Sequence, residues 1–230
     1  MKDFRFIIII TIILSVLSCS NENLAYKKGE QAYAIGEYYN AAYYYKLSYS
    51  RCSPQKDKDK RAIRAYKMGD CYRRINMVQK AQSAYQNAIR YGTTDSTAYL
   101  FLGQQYLKAA NTKLAEENFR KYLDINPQSE LAYIGILSCE LAQQWKNEKS
   151  DYTVKRDNTF NSRRSDYSPV LVGDESDNLI LTSTRKEAKG DEVNGITGTN
   201  YADLFLAKKD ELHPGFRFQR SIDRFGICSV

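Results

Sequence analysis

Histidine is almost missing from this chain: of 230 residues, only His213 carries an imidazole. Five cysteines are present, Cys19, Cys52, Cys71, Cys139 and Cys228, far apart and without a CxxC pair. A Cys/His zinc site therefore has no adequate ligand set, and the spacing demands no disulfide. Cys71 and Cys139 fall inside helical patterns and are expected to be small buried apolar residues. A glycine-rich phosphate loop, a nucleophile elbow and a histidine near any candidate nucleophile are missing as well. Two adjacent carboxylate pairs remain, Glu116-Glu117 and Asp174-Glu175. The first is expected in the opening turn of a helix, where the dipole favours acid, and the second in a turn. The chain is thus expected not to be an enzyme, with no cofactor and no metal. A concentrated basic patch is lacking too. The charge of +7 is spread along the chain, with short clusters such as Arg73-Arg74 and Arg163-Arg164, which argues against a nucleic-acid partner.

What is present begins at the N-terminus. Lys2 and Arg5 precede an apolar run from Phe6 to Leu17. That run is long enough for a secretory signal and short of the ~20 residues of a spanning helix. It ends at Val16-Leu17-Ser18-Cys19, which resembles the lipobox of bacterial lipoproteins. The resemblance implies a signal peptide over residues 1–18, lipid on Cys19 and a short polar tether over 19–23. Loss of Lys2, Asp3 and Arg5 with the signal lowers the charge from +7 to +6. The expected location is the cell envelope, with the protein held to the outer membrane by its lipid and facing the periplasm.

Two stretches then repeat at an offset of 34. Gly69, Tyr72, Ala81, Tyr85 and Ala88 are matched by Gly103, Tyr106, Ala115, Phe119 and Tyr122, and Pro127 closes the second unit. This period with small and aromatic residues at these offsets resembles the tetratricopeptide (TPR) repeat. Gly29, Gly36, Tyr38, Ala41 and Tyr45 fit the same register as an earlier repeat, with an insertion of 6 residues placed in a polar loop over Ser50–Lys60. Glycine and alanine let two helices approach, and Tyr45, Tyr85 and Phe119 are expected to fill the space between hairpins. A further helix over Ser129–Trp145, with Ser129 as N-cap, is expected to close the stack, and Asp95 or Ser96 to cap the helix before Gly103. Of Tyr43-Tyr44-Tyr45, Tyr45 is expected in the core and Tyr44 to be exposed or in an interface. The TPR domain spans 24–146. In this family the first helix of each hairpin lines a concave face. The resemblance therefore implies a partner groove including Tyr26, Tyr33, Tyr66, Arg73, Arg74, Gln104 and Lys108, aromatic and basic and suited to a peptide with acidic residues.

Beyond a polar connector at 147–165 the pattern changes to short β-prone runs. Asp166-Tyr167-Ser168-Pro169, Leu179 to Arg185 and Tyr201-Ala202-Asp203-Leu204-Phe205 resemble one blade of a WD40-like (PD40) β-propeller, placed over 166–210. A propeller needs ~4–8 blades, so the chain is expected to be truncated after the first, and 211–230 to be an irregular tail without a further strand. The expected fold class is an α-helical TPR solenoid followed by a small all-β segment, an incomplete blade. Lipobox, TPR and blade in this order resemble envelope lipoproteins that add an OmpA-like peptidoglycan-binding domain, among them accessory lipoproteins of type IX secretion. That resemblance implies a lipid-anchored scaffold whose partners are envelope or secretion-system proteins. Contact with the membrane is through Cys19, and contact with peptidoglycan only through a domain absent from this chain. The alternative is a generic TPR adaptor lipoprotein unrelated to secretion.

Overall fold

The computed structural model describes residues 23–148, 151–156, 160–173, 178–188, 193–209 and 218–224. The signal, Cys19, His213, Cys228 and the Asp174-Glu175 pair lie outside these. The chain divides into two compact units, residues 1–149 with Gly195–Thr197, and the remainder.

The first unit is a TPR-like solenoid of seven helices. α1 (23–34) pairs with α2 (Tyr38–Arg51), α3 (Lys58–Arg74) with α4 (Val78–Arg90), and α5 (Thr97–Lys108) with α6 (Thr112–Ile125); α7 (Glu130–Asn147) closes the stack. Each hairpin is built on one glycine and one aromatic ring. Tyr45, Tyr85 and Phe119 are fully buried. A Cβ added to Gly29, Gly69 or Gly103 would stand 2.8, 3.0 or 2.8 Å from the ring of its own hairpin, closer than packed atoms allow. The small residue therefore sets the helix separation. Phe119 also meets Gly135 of α7, where a Cβ would lie 2.7 Å away, so one ring joins the last hairpin to the capping helix. Cys71 and Cys139 are fully buried free thiols, and burial pushes Cys71 up to about 12.

The turns inside the hairpins repeat as well. Gly36, Asn76 and Ala110 each lie seven residues after the hairpin glycine, and all have positive φ (80°, 56° and 58°). Each closes its helix with a wrapped-back pair of bonds, for example Asn76 N–H to Arg73 O and Met77 N–H to Tyr72 O. This is the left-handed helix terminus that favours glycine. The helix starts are capped where expected. The Ser129 hydroxyl accepts from Ala132 N–H, and Asp95 rather than Ser96 accepts from Thr97 N–H.

Two local expectations change. The polar loop over Ser50–Lys60 is shorter than its composition suggests. α2 runs to Arg51 and α3 begins at Lys58, because Asp57 accepts from Ser53 N–H and pairs with Lys60 at 3.4 Å, turning part of the charged run into a helix start. In the tyrosine triplet, Tyr43 is the exposed ring, while Tyr44 is half-buried with the Lys28 ammonium 5.8 Å from its centroid.

The second unit is a four-stranded antiparallel sheet in chain order, β1 (Asp166–Val172), β2 (Asn178–Ser183), β3 (Asp203–Lys209) and β4 (Phe218–Arg224). β4 corrects the reading of 211–230 as an irregular tail: its backbone pairs with β3 between Phe205 and Lys209. Phe218 and Ile222 fall on the same parity, but Arg220 stands between them and interrupts the apolar alternation that marks a strand, so the ladder supplies what the pattern withholds. Pro169 sits in edge strand β1 beside a register irregularity between Tyr167 and Val170, where a missing N–H is tolerated. Leu181, Phe205 and Ala207 form the buried side of the sheet.

Candidate functional site

The first helices of the hairpins, α1, α3 and α5, carry the residues assigned to the partner groove. Their side chains make a ladder of contacts from one hairpin to the next. Tyr33 of α1 donates its hydroxyl to the Asp70 carboxylate of α3 at 2.8 Å. Asp70 also accepts from Arg73 and, at 2.8 Å, from Arg74. Arg73 lies over the Phe101 ring of α5 at 4.2 Å, and Arg74 over Tyr38 at 5.1 Å and Tyr33 at 5.5 Å. Tyr66 bonds Thr97 of α5 at 2.6 Å, and Lys108 donates to Asn76 at 3.1 Å. Gln104 is half-buried on α5.

The electrostatics follow from this geometry. Burial opposes the charge on Asp70, but the bonds from Arg74, Arg73 and Tyr33 outweigh it and hold the carboxyl below its ordinary value. The same contact pushes the Tyr33 phenol up to about 12, through burial first and then the Asp70 bond. A parallel pair lies one turn away. Lys67 reaches Glu30 at 3.0 Å, and Glu30 accepts the Tyr45 hydroxyl, so burial of Glu30 is outweighed and its carboxyl is also held low. Asp70, Glu30, Lys67 and Phe101 are members of this surface that the glycine register did not single out. Their signal was available in part, since Asp70 follows Gly69 directly and lies three and four residues before Arg73 and Arg74.

The seven assigned residues thus do different things. Tyr33, Arg73 and Arg74 come together around Asp70. Tyr26 and Tyr66 pack on Tyr45 and Tyr85, with centroids 5.8 Å apart in both cases, and so also cover the core. Arg74 and Lys108 are exposed, and Lys108 stands apart from the Asp70 cluster, bonded to the hairpin turn at Asn76. The Glu116-Glu117 pair lies in the second turn of α6 and not its opening turn, and Glu116 is held by Arg120 at 2.6 Å. Among the described residues no group of three or more His, Cys, Asp or Glu side chains converges as a metal site.

In the sheet, the stretch Thr182-Ser183-Thr184-Arg185 has a structural reason. Arg185 donates to Asp166 at 2.9 Å, Ser183 donates to the same oxygen at 2.5 Å, and Arg185 lies 4.8 Å from the Phe205 centroid. These bonds outweigh the burial of Asp166 and hold its carboxyl low.

No family model matches this chain, and no curated protein matches it. Solved TPR domains do resemble it in shape. The C-terminal TPR-containing domain of a putative FK506-binding protein from Plasmodium falciparum aligns at a TM-score of 0.49 and 16% identity, covering 57% of this chain and 94% of that domain. The OM64 TPR domain from Arabidopsis aligns at 0.46 and 18%, covering 54% and 98%. The Sgt2 TPR domain from Aspergillus fumigatus aligns at 0.45 and 18%, covering 60% and 91%. The repeat assignment rests on this protein's own hairpins, glycine–aromatic contacts and turns. In architecture the first unit is therefore a TPR-like helical solenoid, whose stacked hairpins form an extended surface.

Proposed function

We propose that this protein is a lipid-anchored scaffold of the periplasm, tethered through Cys19 and binding an envelope protein along the α1–α3–α5 surface. The observation that carries the scaffold reading is the ladder of contacts between first helices. It holds the repeats in register and leaves Lys108, exposed and bonded to the neutral Asn76 side chain, open to a partner's acidic side chains. The anchor reading rests on Cys19, placed one residue after the apolar run in a lipobox-like Val16-Leu17-Ser18-Cys19. The process we favour is outer-membrane assembly or type IX secretion. It is supported by the order of lipobox, repeats and β unit, and by a four-stranded meander in chain order, which is the topology of one propeller blade. A general TPR adaptor lipoprotein outside secretion is the second reading.

The test is fractionation of cells carrying Cys19→Ser. The wild-type chain is expected in the membrane pellet and the variant in the soluble periplasmic fraction. A variant that stays in the pellet removes the lipid anchor from this reading. For the surface, Gln104→Glu combined with Lys108→Glu is expected to reduce co-purification of the partner without loss of helix content. These positions are preferable to Arg73 and Arg74, whose reversal would set a new carboxylate against Asp70 and disturb the repeats themselves.

A further inference from the structure

The first two hairpins carry a second surface with the opposite charge economy. A groove of about 640 Å³ runs between α2 and α4 with α3 beneath it. Such a volume lies within the ~300–1,000 Å³ typical of ligand sites. Lys46 stands on one wall, Lys80 on the other, and Arg61, Tyr49, Met68 and Tyr72 line it between them. No carboxylate lines the groove, and the whole of α2 and α4 contains neither Asp nor Glu. This contrasts with the first-helix surface, where Glu30 and Asp70 occupy Lys67, Arg73 and Arg74.

Arg61 comes from outside the 34-residue period. The insertion between the first two repeats lengthens α3 by a turn at its start, and Arg61 belongs to that added turn. Its guanidinium lies 3.9 Å from the Tyr49 centroid and 4.7 Å from that of Tyr91, and Nη1 donates to Tyr49 O and Cys52 O at the end of α2. These contacts fix the head group by carbonyls and rings, neither of which cancels its charge. The Nε is buried without a hydrogen-bond partner. The side chain is only 9% exposed, so it is a positioned cation rather than a mobile surface one. Lys46 has no acidic partner among the described residues, and Lys80 lies 5.6 Å from the Tyr72 ring.

We infer that this groove is a second peptide-binding site, independent of the first-helix surface, which takes an acidic segment bearing an aliphatic or aromatic side chain. The carboxylates pair with Lys46 and Lys80 on the two walls and with the field of Arg61. The apolar side chain lies on Met68, Tyr49 and Tyr72. A flat anionic membrane would reach the lysines but not the recessed apolar floor, and for that reason the peptide is favoured.

The experiment uses the full chain and a fluorescein-labelled peptide, Glu-Glu-Leu-Phe-Glu-Glu, with Lys-Lys-Leu-Phe-Lys-Lys as control, read by fluorescence anisotropy. The acidic peptide is expected to bind and the basic one not. Lys46→Glu with Lys80→Glu should weaken binding about tenfold or more. Ser83→Trp, which fills the groove without changing charge, should do the same, and circular dichroism checks that both variants keep their helices. Lys121→Glu, an exposed charge reversal on α6 outside both surfaces, should leave the Kd within about twofold. Absence of acidic-peptide binding, unchanged binding in the groove variants, or an equal loss in Lys121→Glu would each overturn the assignment. So would phosphatidylglycerol vesicles binding in place of the peptide through the same lysines.

Discussion

Asp70 in the solenoid and Asp166 in the sheet are both nearly buried carboxylates held by arginine, yet their partners come from different distances. Asp70 is bonded by Tyr33, 37 positions earlier and in the preceding hairpin, and its partner Arg73 reaches forward to Phe101 of the next. Asp166 is bonded by Ser183 and Arg185, at the end of the strand beside it. The solenoid network therefore spans three hairpins, while the sheet network closes one corner of a hairpin. Repeats that share both rings and ion pairs should unfold together, and a sheet with edges at β1 and β4 should yield on its own.

Phe119→Ala is the strongest way to break this comparison. One ring fills the space against Gly103 of α5 and Gly135 of α7, so its removal should cost about 4 kcal/mol. Urea unfolding followed by helix signal should show the loss, while the sheet's transition stays in place. A simultaneous shift of both transitions would mean that the two units unfold as one.

A smaller effect separates the two carboxylates. Asp70→Asn should destabilise the solenoid by about 2 kcal/mol, with the partial exposure of Arg73 and Arg74 limiting the loss. Asp166→Asn should lower only the sheet's transition. Acid titration of the wild type sharpens the point. Both carboxyls, with Glu30, are held below their ordinary values in the folded state. Their contribution is complete above the unfolded-state values of roughly 4 and is lost as pH falls through the lower folded-state values. Stability should be level from neutral pH to about 5 and then decline. Asp70→Asn should flatten that decline in the solenoid and leave the sheet's unchanged.

The smallest expected change is a gain. Ala110 holds a left-handed backbone at φ 58° where the first hairpin has Gly36. Ala110→Gly should raise stability by about 0.5 kcal/mol, the relief of strain exceeding the added freedom of the unfolded chain. A fall in the thermal midpoint would show that the turn's hydrogen bonds already absorb the strain.

The glycine–aromatic framework was legible because close approach leaves no alternative at Gly29, Gly69 and Gly103. The proposed partner surface was legible only as positions. The helical register placed Tyr33, Arg73 and Arg74 on one side but did not reveal that Asp70 occupies all three. β4 was hidden because a strand at the edge of a sheet draws its order from the neighbouring backbone, and Arg220 interrupts the apolar alternation between Phe218 and Ile222. The added turn of α3 was hidden by its composition, since alternating lysine and aspartate read as a solvated loop.

By itself the sequence determined the repeat period, the rings and small residues that set the helix spacing, and the N-terminal apolar run that precedes Ser18-Cys19. These are properties of local pattern and of residue size, which the chain carries before it folds. Only the tertiary structure decided which charges remain uncompensated. Pairing depends on distance across hairpins, and so Arg73 and Arg74, prominent in the sequence, are occupied by Asp70. Lys46 and Lys80 instead face each other across a groove that the inserted turn helps to build.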